Sequence, residues 1–421
     1  MSDPRQMLDT VTYASQRHLG DFGKMLFFVG DGLQRATVDG LWDAFNPQTW
    51  TASNLAEMTC RVARQSVRLS RFLIPGEAGF LAWQEIRNKL EVFLLVRTLP
   101  DVLGLSPGSG VGLPDLVERA YSLPAFQALW AVEGVGHYYA DDRWGRSGPP
   151  EGLLQDEGVG DVPDKALSML HAGMGLAFAD RLLGAIPPDF EESAVQGAVH
   201  EFVRLSRTNS LAGYLGAALE SLGLVSRDFY PELVSAVDRH LQQTAPEALG
   251  FFWHGVGRAL YFSRAYFLPV MRTAWESIDR EASHPLGRAN VMAGLAWAVT
   301  LVNMRQPKIM EEVLQSYIAP SSLIDEFTNG LSSSLLVRQD TTPNEEFVMA
   351  FYEHQPTSGG PALVAQWNSW IAEPVKEAIQ QCYPVLKQRR SLGDLFRFCA
   401  IRLPVGGLHV CADSRQPEVS D

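Results

Sequence analysis

The sequence predicts an all-α protein of about six helical-hairpin repeats, each about 40 residues long, with extra helices at both ends. Two observations predict this fold. Apolar segments that contain glycine recur at a nearly constant interval, and charged amphipathic segments lie between them. We expect the hairpins to form either an α-solenoid or a closed α/α ring.

The glycine-bearing segments carry few charges and many small residues. A helix interior that contains glycine is less stable by about 1 kcal/mol than one with alanine, so repeated glycine indicates close backbone packing. We therefore expect these segments to be inner helices. They are EGVGHYYAD (133–141), AGMGLAFAD (172–180), AGYLGAALE (212–220), HGVGRALYF (254–262), AGLAWAVTL (293–301) and NGLSSSLLV (329–337).

The intervening segments place apolar residues near positions i, i+3, i+4 and i+7, which is typical of a helix with one buried face. Their other face is charged. We expect them to be outer helices that cover the inner ones. They are FEESAVQGAVHEFVRL (190–205), DFYPELVSAVDRHLQQ (228–243), FLPVMRTAWESIDREA (267–282) and KIMEEVLQSYI (308–318).

Outside the array the sequence changes character. The predicted units are an N-terminal helical cap at 1–112, the repeat array at 113–338 with an exposed insertion loop at 142–164, and a C-terminal helical region with a disordered tail at 339–421. The cap contains predicted helices at 53–73 and 80–99. In the C-terminal region a helix at 362–388 should be kinked or broken at Pro374, because proline lacks the backbone N–H.

Composition excludes several classes of function. The chain has 35 Lys+Arg and 48 Asp+Glu, a net charge of −13, which disfavours nucleic acid and anionic lipid as partners. The four cysteines form no metal-binding spacing, which argues against a zinc or iron–sulfur protein and favours a cytoplasmic setting. No secretory signal is present, and the longest apolar run, 289–304, is shorter than the roughly 20 residues that span a bilayer.

Common catalytic signatures are missing. No GxxxxGK[ST], HExxH or GxSxG occurs, which removes the usual nucleotide, zinc-protease and serine-hydrolase interpretations. The GSGVG at 108–112 follows no strand pattern, so it does not predict a dinucleotide site. No cysteine lies within the array, which excludes a lanthionine-cyclase type of zinc site. We expect no cofactor.

Polar residues recur immediately before the repeat glycine and three residues after it, on one helix face. If the inner helices line one space, Glu133, His137 and His254 are candidate acid–base residues, and Arg258 is a candidate anchor for an anionic group. The alternative is that these side chains only pair between neighbouring repeats. The polar pairs are Glu133 with His137, His254 with Arg258, and Asn329 with Ser333.

The sequence contains candidates for two further kinds of site, a metal site and an apolar ligand site. Glu133, His137 and Asp141 follow one helix face, but three ligands on one helix lie too far apart for one ion, so no metal is expected. Asp141, Asp180 and Glu220 recur seven residues after the glycine and are interpreted as solvated helix ends. The candidate ligand-binding residues, which are alternatively core residues, are His171, Phe252, Trp253 and Trp297.

Three of the glycine segments carry a family resemblance. FFWHGVGRALYF (251–262), NVMAGLAWAVTLVN (290–303) and HAGMGLAFADRL (171–182) resemble paired segments of the bacterial domain-of-unknown-function family 1702. Members of that family are associated with enediyne and related natural-product gene clusters. The resemblance spans roughly 113–338. It implies a biosynthetic setting and no catalytic residues.

Together these features predict a cytoplasmic accessory protein of polyketide-like or enediyne-like natural-product biosynthesis. Its inner helices would bind a hydrophobic intermediate or a partner protein. One alternative is an enzyme that acts on such an intermediate by acid–base chemistry from the inner helices. The other is a non-catalytic protein-binding scaffold with an acidic surface. The oligomeric state is not predicted by the sequence.

Overall fold

The computed structural model describes residues 76–105, 110–187, 189–263, 266, 274–319, 321–357 and 359–398. Within these ranges the secondary structure is helical and contains no strand, so the predicted all-α class is confirmed. The predicted helix at 80–99 is confirmed as part of a helix from Glu77 to Val102. The predicted helix at 53–73 and the tail lie outside the described residues.

The helices are α1 (Glu77–Val102), α2 (Leu113–Tyr121), α3 (Ala125–Ser147), α4 (Leu167–Gly184), α5 (Glu192–Asn209), α6 (Leu215–Phe229), α7 (Val234–Thr244), α8 (Leu249–Phe262), α9 (Pro285–Asn303), α10 (Pro307–Val313), α11 (Ile324–Thr341), α12 (Glu346–Tyr352), α13 (Gly360–Trp367), α14 (Glu373–Glu377) and α15 (Tyr383–Gln388). Single α-helical turns lie at Asp156–Val159 and Ile278–Glu281. Short 3-10 turns lie at Asp164–Ala166, Ala212–Tyr214, Pro231–Leu233, Pro246–Ala248, Ala274–Ser277 and Leu392–Phe396, and π-helical turns at Leu314–Ile318, Asn368–Ala372 and Ala378–Cys382.

Helices α3, α4, α6, α8, α9 and α11 pack side by side in chain order, and we call them the inner helices. Most side chains of α8 and α9 are buried, as expected for helices that are covered on several sides. The predicted outer segment at 190–205 covers most of α5, and the segment at 228–243 contains nearly all of α7 but begins in the last two residues of α6. The segment at 308–318 contains most of α10 and the π-helical turn after it. In α5 only one face is buried, which is the packing that its amphipathic sequence predicts.

A small residue in each inner helix from α4 onward packs against the backbone of the preceding inner helix. A Cβ on any of the glycines concerned would overlap a carbonyl oxygen of that neighbour. In α6 the position is serine, whose hydroxyl donates a hydrogen bond of 2.8 Å to the facing carbonyl. The contacts are Gly173 with Glu133, Ser221 with Ala172, Gly255 with Glu220, Gly294 with His254, and Gly330 with Ala293.

A second small residue, two positions later, packs against the backbone of the following inner helix. The motif is therefore small-x-small, with one small residue facing each neighbour. This explains why both glycines of the GVG and GMG segments are needed, because each removes a Cβ from a different helix interface. The contacts are Gly136 with Leu170, Gly175 with Ala218, Gly223 with Phe252, and Gly257 with Val291.

The third predicted glycine segment, 212–220, is wrong in register. Gly213 lies in a 3-10 turn, and its α-carbon packs against the carbonyl of Arg390 near the C-terminal end of the described chain. The residues equivalent to the repeat glycines are Ser221 and Gly223, eight and ten positions after Gly213. Serine replaces the first glycine in α6, so an alignment on glycine selected the wrong residue.

The segment 142–164 is only in part the exposed insertion loop that we predicted. Helix α3 continues to Ser147, and the following residues are tied to Asn209 at the end of α5. The Asn209 Nδ2 donates to the Pro150 carbonyl at 2.8 Å, and the Leu153 backbone N–H donates to Asn209 Oδ1 at 2.9 Å. Leu153 and Leu154 are buried. Apolar residues within a Gly- and Pro-rich sequence thus anchor this connection to the core.

The C-terminal helix is interrupted at its prolines, as the sequence predicts for Pro374. A π-helical turn at Asn368–Ala372 ends two residues before Pro374, and another at Ala378–Cys382 ends two residues before Pro384. Because proline has no N–H and its ring crowds the preceding turn, a widened turn accommodates it. Among the described helices, none is sufficiently long and apolar to cross a lipid bilayer.

Candidate functional site

A buried arginine joins three inner helices. Arg258 of α8 donates from Nη1 to Glu220 Oε2 of α6 at 2.7 Å and from Nη2 to Glu133 Oε1 of α3 at 3.0 Å. All three side chains are almost completely buried. Burial opposes the charge of the guanidinium, but the two carboxylates outweigh it and raise the pKa of Arg258 above its ordinary value. Arg258 is therefore fully charged and paired.

His254 lies one helical turn before Arg258 and shares Glu220 with it. The His254 Nδ1 is 2.9 Å from Glu220 Oε1. Because an ionised carboxylate only accepts hydrogen bonds, Nδ1 carries the proton and donates it. Burial, and to a smaller extent Arg258, lowers the pKa of His254 despite Glu220. The imidazole is thus neutral at pH 7, and its Nε2 carries a lone pair.

Trp297 of α9 covers the cluster. Its ring lies over the Arg258 guanidinium, with 4.4 Å from Cζ to the ring centre, and the His254 ring meets it edge-on at 6.2 Å. We call these five residues, Glu133, Glu220, His254, Arg258 and Trp297, the Arg258 cluster. It contains three buried polar atoms that have no hydrogen-bond partner, namely His254 Nε2, Arg258 Nε and Trp297 Nε1. Unpartnered polar atoms grouped in this way indicate a site for a polar group of a ligand or for water.

The structure brings together three of the four predicted catalytic residues, which are Glu133, His254 and Arg258. The fourth, His137, lies one turn beyond Glu133 on the same face of α3. Burial lowers the pKa of His137, against the opposing effect of nearby carboxylates of which Asp180 has the largest influence. One turn farther along α3, Asp141 forms an ion pair with Arg181, with 2.6 Å between Arg181 Nε and Asp141 Oδ1. The predicted residues on this face of α3, Glu133, His137 and Asp141, therefore extend from the Arg258 cluster towards the surface.

Glu220 is the functional candidate that the sequence analysis missed. It was interpreted as a solvated helix end, but its side chain is fully buried and contacts both His254 and Arg258. The signal was present in the small-x-small motif. ESLG at 220–223 has the form of EGVG at 133–136 and HGVG at 254–257, so all three segments place a polar residue at the same position.

The predicted ligand-binding residues have different environments. His171 accepts a hydrogen bond at Nε2 from the Leu211 N–H at 3.1 Å, and its Nδ1 is 2.7 Å from the Leu167 carbonyl, so backbone groups occupy both nitrogens. Burial lowers its pKa to about 4. Trp253 donates from Nε1 to Asp238 of the outer helix α7 at 2.7 Å.

Phe252 is fully buried and packs edge-on against the Trp253 ring. Trp297 alone of the four candidates belongs to the Arg258 cluster. The third predicted polar pair, Asn329 and Ser333, is buried in α11. Within the described residues, no group of three or more His, Cys, Asp and Glu side chains is arranged to hold a metal ion.

Comparison of the chain with family models, with curated proteins and with solved structures found no match. The geometry of the Arg258 cluster is therefore the basis for assigning a function. A carboxylate holds one nitrogen of a neutral histidine, a paired arginine lies beside it, and the other histidine nitrogen has no partner. This arrangement is chemically suited to accepting a proton.

Proposed function

We propose that this protein is an enzyme that binds a hydrophobic natural-product intermediate among its inner helices and moves a proton with His254. One observation carries the proposal: Glu220 holds the proton-bearing Nδ1 of a buried neutral imidazole, and the basic Nε2 has no partner. A carboxylate in this position fixes the histidine tautomer and stabilises the imidazolium after proton uptake. Glu220 is thus the positioning residue for His254.

The reaction class that fits these groups is an isomerisation by proton transfer. His254 Nε2 takes a proton from an acidic C–H or O–H of the substrate, and the resulting imidazolium returns a proton to another atom of the same molecule. The unpartnered N–H groups of Arg258 and Trp297 are suitable donors to a substrate oxygen that gains negative charge. No electrons are exchanged, so this chemistry requires no cofactor.

The proposal includes the arrangement of the repeats. We place the inner helices in a closed α/α ring, and two contacts support closure. Arg258 of α8 reaches Glu133 of α3, and Arg338 of α11, the last inner helix, donates to the carbonyl of Ala125 in α3, the first. The biosynthetic setting is what the resemblance of three segments to family 1702 implies, and the cytoplasmic setting is what the cysteine usage favours.

The competing hypotheses are an accessory protein that only binds the intermediate or a partner protein, and a scaffold. Both give the Glu133–Arg258–Glu220 pairs a purely structural role, as cross-links between three helices. They differ from the proposal in what they predict for His254. A binding protein or a scaffold retains its function when His254 loses its basicity, provided that the protein remains folded.

The decisive experiment replaces His254 in the producing host. A strain that lacks the protein is complemented with wild type, H254Q or H284Q, and the metabolites are identified by mass spectrometry. His284 is a matched control because it also contacts a carboxylate, Asp238 at 3.2 Å, outside the Arg258 cluster. We expect H254Q to lose the product and accumulate its precursor, while H284Q retains the product.

Native mass spectrometry of the same purified variants separates the alternatives. A folded H254Q protein that retains an apolar small molecule but makes no product supports catalysis. A folded H254Q protein that supports full product formation overturns it. If both H254Q and wild type carry no small molecule and yield the same product, the scaffold hypothesis is favoured instead.

A further inference from the structure

A second buried arginine has surroundings that the proposed reaction does not explain. Arg338 of α11 is fully buried, and its Nη1 donates to the backbone carbonyls of Ala125 at 3.0 Å and Phe126 at 3.4 Å. Its Nε and Nη2 have no hydrogen-bond partner. In the described part of the chain Arg338 forms no ion pair within 4.0 Å, and the charge of Glu345 acts on it from farther away.

A second arginine, Arg305, lies close to Arg338. Arg305 stacks on the Phe126 ring, with 3.5 Å from Cζ to the ring centre, and the Arg338 guanidinium lies 5.3 Å from the same centre. Arg305 forms an ion pair with Glu91, with 2.6 Å between Arg305 Nη2 and Glu91 Oε2. Burial, with a smaller contribution from the charge of Arg305, lowers the pKa of Arg338 to about 9, and the charge of Glu345 opposes this only in part.

The beginning of α3 contributes a third positive element. This helix has 23 residues and starts at Ala125, one of the residues whose carbonyl Arg338 contacts. The N–H groups of Gln127 and Ala128 donate to the Pro124 carbonyl just before the helix, and the N-terminal end of the helix carries a partial positive charge. Together these features favour an anion at this end of α3.

We infer that Arg338 and the N-terminus of α3 form a binding site for a small oxyanion, such as phosphate or a carboxylate. The Nε–Nη2 edge of arginine is the fork that binds two oxygens at once, and in Arg338 this edge is the one without partners. A buried charge without a paired counter-ion is unfavourable; Glu345 acts on Arg338 without forming an ion pair, and a bound oxyanion would supply a counter-charge in direct contact. This inference does not depend on the proposed function.

Two sources of the oxyanion are compatible with this chemistry, namely a free inorganic anion and a carboxylate on an organic metabolite. The first test measures thermal unfolding at fixed pH and ionic strength in chloride, phosphate, sulfate and acetate. Because a ligand that binds only the folded state stabilises it, we expect Tm to rise with the logarithm of oxyanion concentration. A larger rise in phosphate and sulfate than in acetate indicates an inorganic anion, and the reverse indicates a carboxylate.

Variants locate the site. We expect R338M to lose the oxyanion-dependent rise in Tm, and R338K, which keeps the charge but not the fork, to show a smaller rise. The control is R204M, because Arg204 is a partly exposed arginine on α5 that already pairs with Glu201. It should respond as the wild type does.

The inference is overturned if no oxyanion raises the Tm of the wild type above its value in chloride, or if R338M shows an undiminished rise. Should R338M fail to fold, equilibrium dialysis of wild type and R338K with labelled phosphate or acetate provides the second measurement. One equivalent bound by wild type and at least tenfold weaker binding by R338K, about 1.4 kcal/mol, supports the site. Equal binding by both proteins refutes it.

Discussion

Arg258 and Arg338 are both buried on inner helices, yet their electrostatic environments are opposite. Two carboxylates that contact Arg258 raise its pKa, whereas burial and a second arginine lower that of Arg338, against a smaller opposing effect of Glu345, which does not pair with it. Helix α3 contacts both, through the Glu133 carboxylate in one case and through the carbonyls of Ala125 and Phe126 in the other. Burial therefore does not decide the state of a charge by itself. The partners decide it, and a missing partner points to a ligand.

The comparison also separates a site that the chain completes from one that it leaves incomplete. In the Arg258 cluster two carboxylates neutralise the positive charge, and the atoms without a partner are His254 Nε2, on a neutral base, and two donors, Arg258 Nε and Trp297 Nε1. At Arg338 the unpartnered groups are donors on a cation. The first arrangement favours proton transfer, and the second favours anion binding.

The largest expected effect is that of R258M. This substitution leaves the carboxylates of Glu133 and Glu220 buried without their cation, and breaking a buried pair in this way costs about 3–5 kcal/mol. We expect the free energy of unfolding from urea titration to fall by that amount. A loss below about 1 kcal/mol would mean that the two carboxylates gain other partners or protons in the variant, and that Arg258 is not needed to neutralise them.

The matched substitution R338M should behave differently. In a buffer without oxyanions it removes an uncompensated buried charge and keeps an unbranched side chain of similar length. Replacing a buried ion pair with apolar residues is often neutral or stabilising by about 1–4 kcal/mol, and we expect the same direction for Arg338 because its removal leaves no paired carboxylate behind. Urea titration should therefore show no loss of stability. A loss as large as that of R258M would show that Arg338 is compensated within the chain, and the comparison would fail.

The small-x-small packing can be tested next to the Arg258 cluster. In G173A the new Cβ overlaps the carbonyl of Glu133, so α3 and α4 must separate. Overpacking of this kind costs about 1–3 kcal/mol. The control is G197A on the outer helix α5, where a Cβ meets no atom within 4 Å and a gain of about 0.5–1 kcal/mol is expected. Equal effects in the two variants would contradict close packing as the reason for the repeat glycines.

The smallest effect is a difference in acid sensitivity. The pKa of His254 is lowered from 6.5 in the folded state, so below pH 6.5 the unfolded state binds a proton that the folded state excludes. Stability therefore falls as the pH drops, by about 1.4 kcal/mol for each unit by which the pKa is lowered. Urea titrations between pH 7 and 5 should show a smaller loss in H254Q than in wild type.

R338M should keep the full pH dependence of the wild type. In the wild type Arg338 is charged throughout the range from pH 5 to 7, so its removal takes away no group that titrates there. His171, which also has a lowered pKa, contributes equally to all three proteins. If the pH dependence of R338M is reduced and that of H254Q is not, the acid-sensitive group does not lie in the Arg258 cluster.

Sequence reasoning recovered much of this site. Helical spacing placed His254 and Arg258 one turn apart on one face, and the recurrence of that position pointed to Glu133 on another repeat. Glu220 escaped because serine replaces glycine in its segment, so the glycine alignment was displaced by eight residues. The anchoring of 150–154 on Asn209 escaped because a side chain 56 residues away from Leu153 supplies the hydrogen bond.

The sequence by itself determined the helical class, the small residues that allow close helix packing, and the pairing of polar residues within one turn. These features depend on the spacing of residue types along the chain, which can be read directly from the sequence. Only the tertiary structure decided that Glu133 and Glu220 both reach Arg258, and that no carboxylate of the described residues forms an ion pair with Arg338. Such partners come from helices far apart in the chain, and their meeting depends on how each helix is rotated and displaced when the core packs.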